Sequence, residues 1–256
     1  MDENVKIVRY STLIDYNEES ISDFLKPKVL GINEDRFIIV GELRKNNFHG
    51  TFVKMYSNNG DFIKNFEINN SKSEKIMNPN VCQLTTKQII VSYDSFNNNI
   101  NDNNYSVFFD IFDDNGKLLY TRNANSNSSL KYNDHSNKIA CLSVNKIAIS
   151  WISQHSDRHA YYQIYVAVFT YDGLMTTSEI LVSEDLSFNQ INSSIYPLGN
   201  GGFVVAFSGK DESGLGAYYQ IFTHWGEKIG KNILINEYKT LDQYSLIFGR
   251  VFSDIH

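Results

Sequence analysis

An aromatic residue, a second aromatic four positions on and a glycine four positions after that recur four times in this chain, as Phe52/Tyr56/Gly60, Phe108/Phe112/Gly116, Tyr165/Phe169/Gly173 and Tyr218/Phe222/Gly226. The copies lie about 55 residues apart, and self-similarity at that period implies tandem units that cannot bury their apolar faces alone. The period constrains the fold more than any single residue does.

Each unit reads in parts. A short apolar pair comes first: Val29/Ile32, Val81/Leu84, Ile139/Leu142 or Ile195/Leu198. Polar turns follow at Asn33–Asp35, Thr85–Thr86, Val144–Asn145 and Gly199–Gly202. Next are β-branched and aromatic runs, Phe37–Val40, Ile89–Val91, Ile147–Ile149 and Phe203–Val205, which suit a strand buried on both faces. The aromatic segment alternates as a strand does, and its glycine follows Asn58-Asn59, Asp114-Asn115 or Tyr171-Asp172, a hairpin signal. His224-Trp225-Gly226 is the weakest of these turns by composition. A small polar residue (Asn69, Asn125, Ser183 or Asn236) closes a fourth short strand.

Four antiparallel strands per unit, in tandem, is the pattern of an all-β propeller blade. Leu198–Phe207 followed by Asp211–Phe222 resembles a repeat of large, often secreted or surface-associated bacterial and protist proteins. In that repeat a Leu-x-(Asp/Asn)-Gly-Gly-Phe-Val-Val-x-Trp segment precedes Tyr-x-x-x-Phe-x-x-x-Gly. The resemblance covers residues 26–245, is closest in the fourth repeat, and implies architecture rather than activity. Tyr93, Trp151 and Phe207 fall near the family's Trp position, and Glu42 is read as its replacement in the first repeat.

The four units span 26–77, 78–133, 134–189 and 190–245 of a single domain. Val5–Tyr10 alternates like an aromatic strand and Tyr244–Phe248 resembles the opening of a unit. The flanks, 1–25 and 246–256, are therefore expected to combine into a reduced fifth blade that closes the ring and covers the open strand edges. A piece of a longer array is the alternative.

A net charge of −6 argues against nucleic acid, where a basic stripe is expected. No apolar run is long enough to span a membrane as a helix. Met1–Asn4 is acidic with no apolar stretch behind it, which favours the cytoplasm. In that setting Cys82 and Cys141 read as two small core residues rather than a disulfide.

His155 and His159 flank Asp157, a spacing that could ligate zinc on a helix, but here they fall in a loop, where it fixes no geometry. Asp211–Gly214 lacks the alternating Asp/Asn ladder of calcium loops and reads as a polar turn. No metal or cofactor is expected. Motifs of serine hydrolases, phosphate-binding loops and zinc proteases are missing, and carboxylates converging from separate blades would not show in sequence.

The expectation is therefore a non-enzymatic protein-interaction or scaffold module, with a lectin as alternative and a propeller hydrolase third. Its contact surface would be the loops between second and third strands: Arg44–Gly50, Ser95–Asn104, Ser153–Ala160 and Ser208–Gly216. Their divergence favours a protein partner over a repeated sugar site. Phe48, Phe96, His155, His159, Asp211 and Trp225 are the candidate contact residues. Trp225 and Trp151 would be the sugar platforms of the lectin reading, although Trp151 closes an apolar strand and reads as core.

Overall fold

The computed structural model describes residues 23–32, 35–45, 48–68, 75–96, 104–125, 132–154, 161–212 and 214–236. These residues form strands and turns and no helix. Blade 1 is β1 (Asp23–Ile32), β2 (Arg36–Lys45), β3 (Phe48–Ser57) and β4 (Phe62–Asn65). Blade 2 is β5 (Lys75–Gln83), β6 (Ile89–Phe96), β7 (Tyr105–Phe112) and β8 (Leu118–Asn123). Blade 3 is β9 (His135–Leu142), β10 (Lys146–Ser153), β11 (Gln163–Thr170) and β12 (Ile180–Leu181). Blade 4 is β13 (Ile191–Pro197), β14 (Phe203–Lys210), β15 (Leu215–Phe222) and β16 (Lys228–Leu234). Within each blade the strands pair antiparallel in chain order, and a parallel bridge between His49 and Lys75 links the first two blades. The first strands β1, β5, β9 and β13 lie next to one another at the inner edge. This is the expected all-β propeller; the expected fifth blade falls on residues outside those described.

The cores lie between blades rather than within them. One joins Ile38, Val40 and Met55 of blade 1 to Ile89, Val91 and Phe112 of blade 2. A second joins Ile90, Phe109 and Ile111 to Ile147, Trp151 and Phe169, and a third joins Ala148, Val166 and Val168 to Phe203, Val205 and Phe222. The second strands are accordingly buried on both faces.

The motif glycines serve two purposes. Gly60, Gly116, Gly173 and Gly226 all have φ between 75° and 87°, and each donates its N–H back to the residue three before it. The turn at Trp225 therefore has the same geometry as the others. A β-carbon on Gly116 would lie 2.6 Å from the Phe66 ring, one on Gly173 2.6 Å from Arg122, and one on Gly226 2.6 Å from Ile180, each of these on the preceding blade. Gly60, in blade 1, has nothing within 4 Å among the described residues.

Each first strand also carries one left-handed residue: Lys26 (φ 50°), Asn78 (51°), Ser136 (58°) and Asn192 (55°). Pairing with the second strand skips at each of these places, so each is a β-bulge. Pro27 and Pro79 follow two of them, where a missing N–H is tolerated. Opposite the bulges sit Tyr93, Trp151 and Phe207, stacked on Phe108, Tyr165 and Tyr218 at 6.3, 6.5 and 5.7 Å between ring centres. In blade 1 that place is taken by Gly41 rather than Glu42, because the Phe52 ring lies where a β-carbon would be, 2.6 Å away. Glu42 belongs to the next register position, with Asp94.

Two further expectations are corrected. Arg44–Gly50 and Ser208–Gly216 are mostly ladder rather than loop, with Leu43 paired to Gly50 and Lys210 to Leu215. Cys82 and Cys141 form a disulfide across the adjacent first strands of blades 2 and 3, with Cα atoms 5.7 Å apart and a sequence separation of 59. The two cysteines are one register position out of step in their repeats, and that stagger brings them together.

Two outcomes follow from this packing. Closing a loop of that length by a cross-link is worth about 4 kcal/mol in the chain-entropy account. Dithiothreitol, or Cys82→Ser with Cys141→Ser, should therefore lower the denaturant midpoint clearly, and an unchanged midpoint contradicts the disulfide's role. Gly60→Ala should cost about 1–2 kcal/mol for its left-handed backbone. Gly116→Ala should cost a further ~1–3 kcal/mol for the Phe66 contact, and equal losses in chemical denaturation would refute that inter-blade role.

Candidate functional site

The inner strands of the first three blades build a polar network from the bulges outward. Glu42, at the second-strand position beside the bulge, accepts the Asn78 backbone N–H through Oε1 at 3.0 Å. The same oxygen accepts Lys26 Nζ at 3.1 Å, while Oε2 has the longer 3.4 Å contact to Arg44 Nη2. Asp94 holds the matching position in blade 2 and takes four N–H donors. Its Oδ2 accepts Asn78 Nδ2 (2.6 Å) and Ser136 N (2.7 Å); its Oδ1 accepts Asn137 N (3.2 Å) and Asn137 Nδ2 (2.6 Å). An acid on one blade thus fastens the bulge of the next, twice in succession. Blade 3 has Ile152 at that position, packed in the apolar core.

Three amides complete the network. Asn80 Nδ2 donates to Asn137 O at 2.9 Å and to Asn137 Oδ1 at 3.0 Å, and Ser92 Oγ donates to the same Oδ1 at 2.6 Å. Asn137 Nδ2 also reaches Asn78 O at 2.9 Å. Lys26 Nζ donates to Asn78 Oδ1 (2.8 Å), Lys28 Nζ to Asn80 Oδ1, and Lys138 Nζ to Asn137 O (3.2 Å). Tyr105 and His135 stand half-buried at the same end.

Burial works against the Glu42 charge, but the Asn78 N–H and Lys26 outweigh it and hold the carboxyl below its ordinary value. Glu42 is therefore ionised at neutral pH, with its side chain 2% exposed. Burial, and then the nearby Lys138, bring the Lys28 ammonium down to about 8. Burial also lowers Lys138 and His135 and raises Tyr105, Asp94 opposing the first two shifts and reinforcing the third. Among the described residues no three His, Cys, Asp or Glu side chains converge as a metal-binding set.

The residues singled out from sequence lie elsewhere. Phe48 opens β3 at the tip of the first blade's hairpin. Phe96 ends β6 with its ring 5.0 Å from Tyr105 and Lys75 Nζ 5.2 Å above it, so it folds back on its own blade. His155 and His159 lie outside the described residues. Asp211 closes a polar turn, its Oδ1 accepting Gly214 N at 2.9 Å. Trp225 is exposed, but Lys146 Nζ of blade 3 sits 3.1 Å from its ring centre and also donates to His224 O, making it an inter-blade clamp. Trp151 is fully buried. From sequence Glu42 is read only as the replacement of a repeat Trp, and Asp94 is not singled out. Their signal is an acid at the end of an apolar run, in one register position of two consecutive repeats.

No family model matches this chain, and no curated protein does. Solved structures do. A Dyadobacter fermentans protein of unknown function superposes with a TM-score of 0.58 at 11% identity, covering 82% of this chain, which spans 64% of that protein. A thermostable family-43 glycoside hydrolase gives 0.52 at 15% identity, over 90% of this chain and 78% of that one. An endo-arabinase from Bacteroides thetaiotaomicron gives 0.50 at 13% identity, over 87% and 78%. At these identities the likeness establishes the propeller fold. It also overturns the expectation of a non-enzymatic scaffold or lectin and of no enzyme, since this architecture is shared with glycoside hydrolases. Missing local motifs could not exclude them, because residues converging from separate blades leave no contiguous signature.

The Lys28 charge should be destabilising where it is present. Below about 8 both folded and unfolded chains hold the proton, and the burial penalty is complete. Between about 8 and the ordinary 10.5 only the unfolded chain stays protonated, so stability rises with pH across that window. Lys28→Met should raise the melting temperature at pH 7, on the order of 2–4 °C, and the gain should fade by pH 10.5. A variant less stable than wild type at pH 7 would contradict this.

Proposed function

We propose that the chain is a carbohydrate-active propeller of the glycoside-hydrolase kind, with the inner-strand network as its sugar-binding centre. The observation that carries this is Glu42, an ionised carboxylate with one lightly engaged oxygen, set among the Asn78 N–H and the Lys26 and Arg44 cations. Fixed planar amides and charged donors are what sugar hydroxyls bind. Glycoside hydrolysis uses one ionised carboxylate as base or nucleophile beside a proton donor. Glu42 is assigned the ionised role. Asp94, with both oxygens occupied, is a positioning residue that orients Asn78, Ser136 and Asn137. The fold shared with an endo-arabinase makes arabinan the first polymer to try. The Cys82–Cys141 disulfide favours an oxidising compartment as the place to seek the substrate, where sequence alone favoured the cytoplasm.

The test is reducing-end release from a panel of plant and microbial polysaccharides. Wild type should turn over at least one, and Glu42→Gln should lower kcat about 10²–10⁴-fold with a small change in KM. Asp94→Asn should weaken substrate binding and lower the melting temperature. A wild-type protein that cleaves nothing, or a Glu42→Gln variant with full kcat and only a lower melting temperature, would leave the network a purely structural fastening.

A further inference from the structure

We infer that the sugar taken at this centre carries an anionic group, a carboxylate or a sulfate, held between Lys28 and Lys138. The inference rests on the carbohydrate reading above and narrows its substrate class.

Four cations, Lys26, Lys28, Arg44 and Lys138, gather about two carboxylates, Glu42 and Asp94, in a chain whose net charge is −6. Glu42 is committed to Lys26 and Arg44, at 3.1 and 3.4 Å. Asp94 is committed to backbone and amide N–H groups. Lys28 and Lys138 are left with neutral amide oxygens, Asn80 Oδ1 and Asn137 O, and make no ion pair among the described residues. Those two amides are bonded to each other at 2.9 Å, so the two ammonium groups extend from neighbouring points of one rigid frame. Lys138 lies close enough to Lys28 to add to the burial that disfavours its charge, and Lys26 acts on Lys138 in the same sense.

Two half-buried ammonium groups side by side, which Asp94 attracts without pairing to either, are unfavourable in the free protein. An anion between them would relieve the repulsion and gain two charge-assisted hydrogen bonds. The amides behind them are already tied into the Asn78–Asn80–Asn137 ladder, so little side-chain ordering is left to oppose binding. Tyr105 and His135, both half-buried near Asp94, add a phenol and an imidazole whose charge burial disfavours to the same end of the network.

The experiment is isothermal titration calorimetry of the full chain at low and moderate salt. The probes are digalacturonate, a sulfated disaccharide, arabinobiose and inorganic phosphate. Binding of digalacturonate or the sulfated disaccharide should weaken as salt rises, and Lys28→Met and Lys138→Met should each cost about tenfold in Kd. Which of the two binds identifies the anionic group. Lys231→Met, an exposed lysine on β16, should bind as wild type does, and thermal unfolding of each variant confirms that it is folded. Arabinobiose bound more tightly than either acidic sugar, and equally by all variants, overturns the inference and leaves the hydrolase proposal standing. Phosphate bound without any sugar binding or turnover overturns both.

Discussion

A blade in this molecule is apolar on both faces and has no core of its own. Its stability depends on seating against the next blade, and that seating is possible only where a glycine lets the backbone come close. Gly116, Gly173 and Gly226 each sit where a β-carbon would run into the preceding blade. Each also needs the positive φ that its turn imposes. One residue type thus satisfies a local and a non-local demand at once, which is why the motif persists while the residues around it vary. Arg36 and Lys146 add directional contacts to the same seating, each reaching a carbonyl two residues before the motif glycine of the next blade.

The inner edge uses a second device. A bulge on each first strand turns an N–H out of the ladder, and a buried N–H without a partner is costly. Glu42 and Asp94 answer that need across the blade boundary, and in doing so they place carboxyl groups on the inner strands, away from the surface where acids usually lie. The site is therefore a by-product of how the ring is fastened. Blade 3 replaces the acid with Ile152, so the polar network is confined to three blades and is asymmetric. An asymmetric centre suits a single bound molecule better than a repeated one.

What could be read from the chain follows from the range of the interactions involved. The turn glycines, the doubly buried second strands and the buried Trp151 were legible because each follows from residues within one repeat. The Gly41 position was misplaced by one, because only the bulge, which has no fixed sequence mark, decides which residue faces Phe52. Cys82 and Cys141 looked like core residues because their pairing depends on a one-residue stagger between neighbouring strands. Trp225 looked like a free platform because its partner, Lys146, comes from another blade. The network around Glu42 was least visible of all, since its members are drawn from five strands and none forms a motif with its sequence neighbours.

The lysines bear most directly on function. A ring that needed only to be closed could have used neutral residues at positions 28 and 138, as blade 4 does with Ser194 at the corresponding place. Two partly buried ammonium groups beside each other work against folding at neutral pH, and neither is paired with an acid among the described residues. Local strain and unfavourable charge that packing does not require are features that functional sites tolerate. The amide ladder makes the same point from the other side. Asn78, Asn80 and Asn137 are held by one another, by Ser92 and by Asp94, so the frame is rigid while the ammonium groups it carries remain incompletely satisfied. A rigid frame presenting unsatisfied cations is organised for a ligand that supplies the missing negative charge, whereas a purely structural network would be expected to satisfy every member internally.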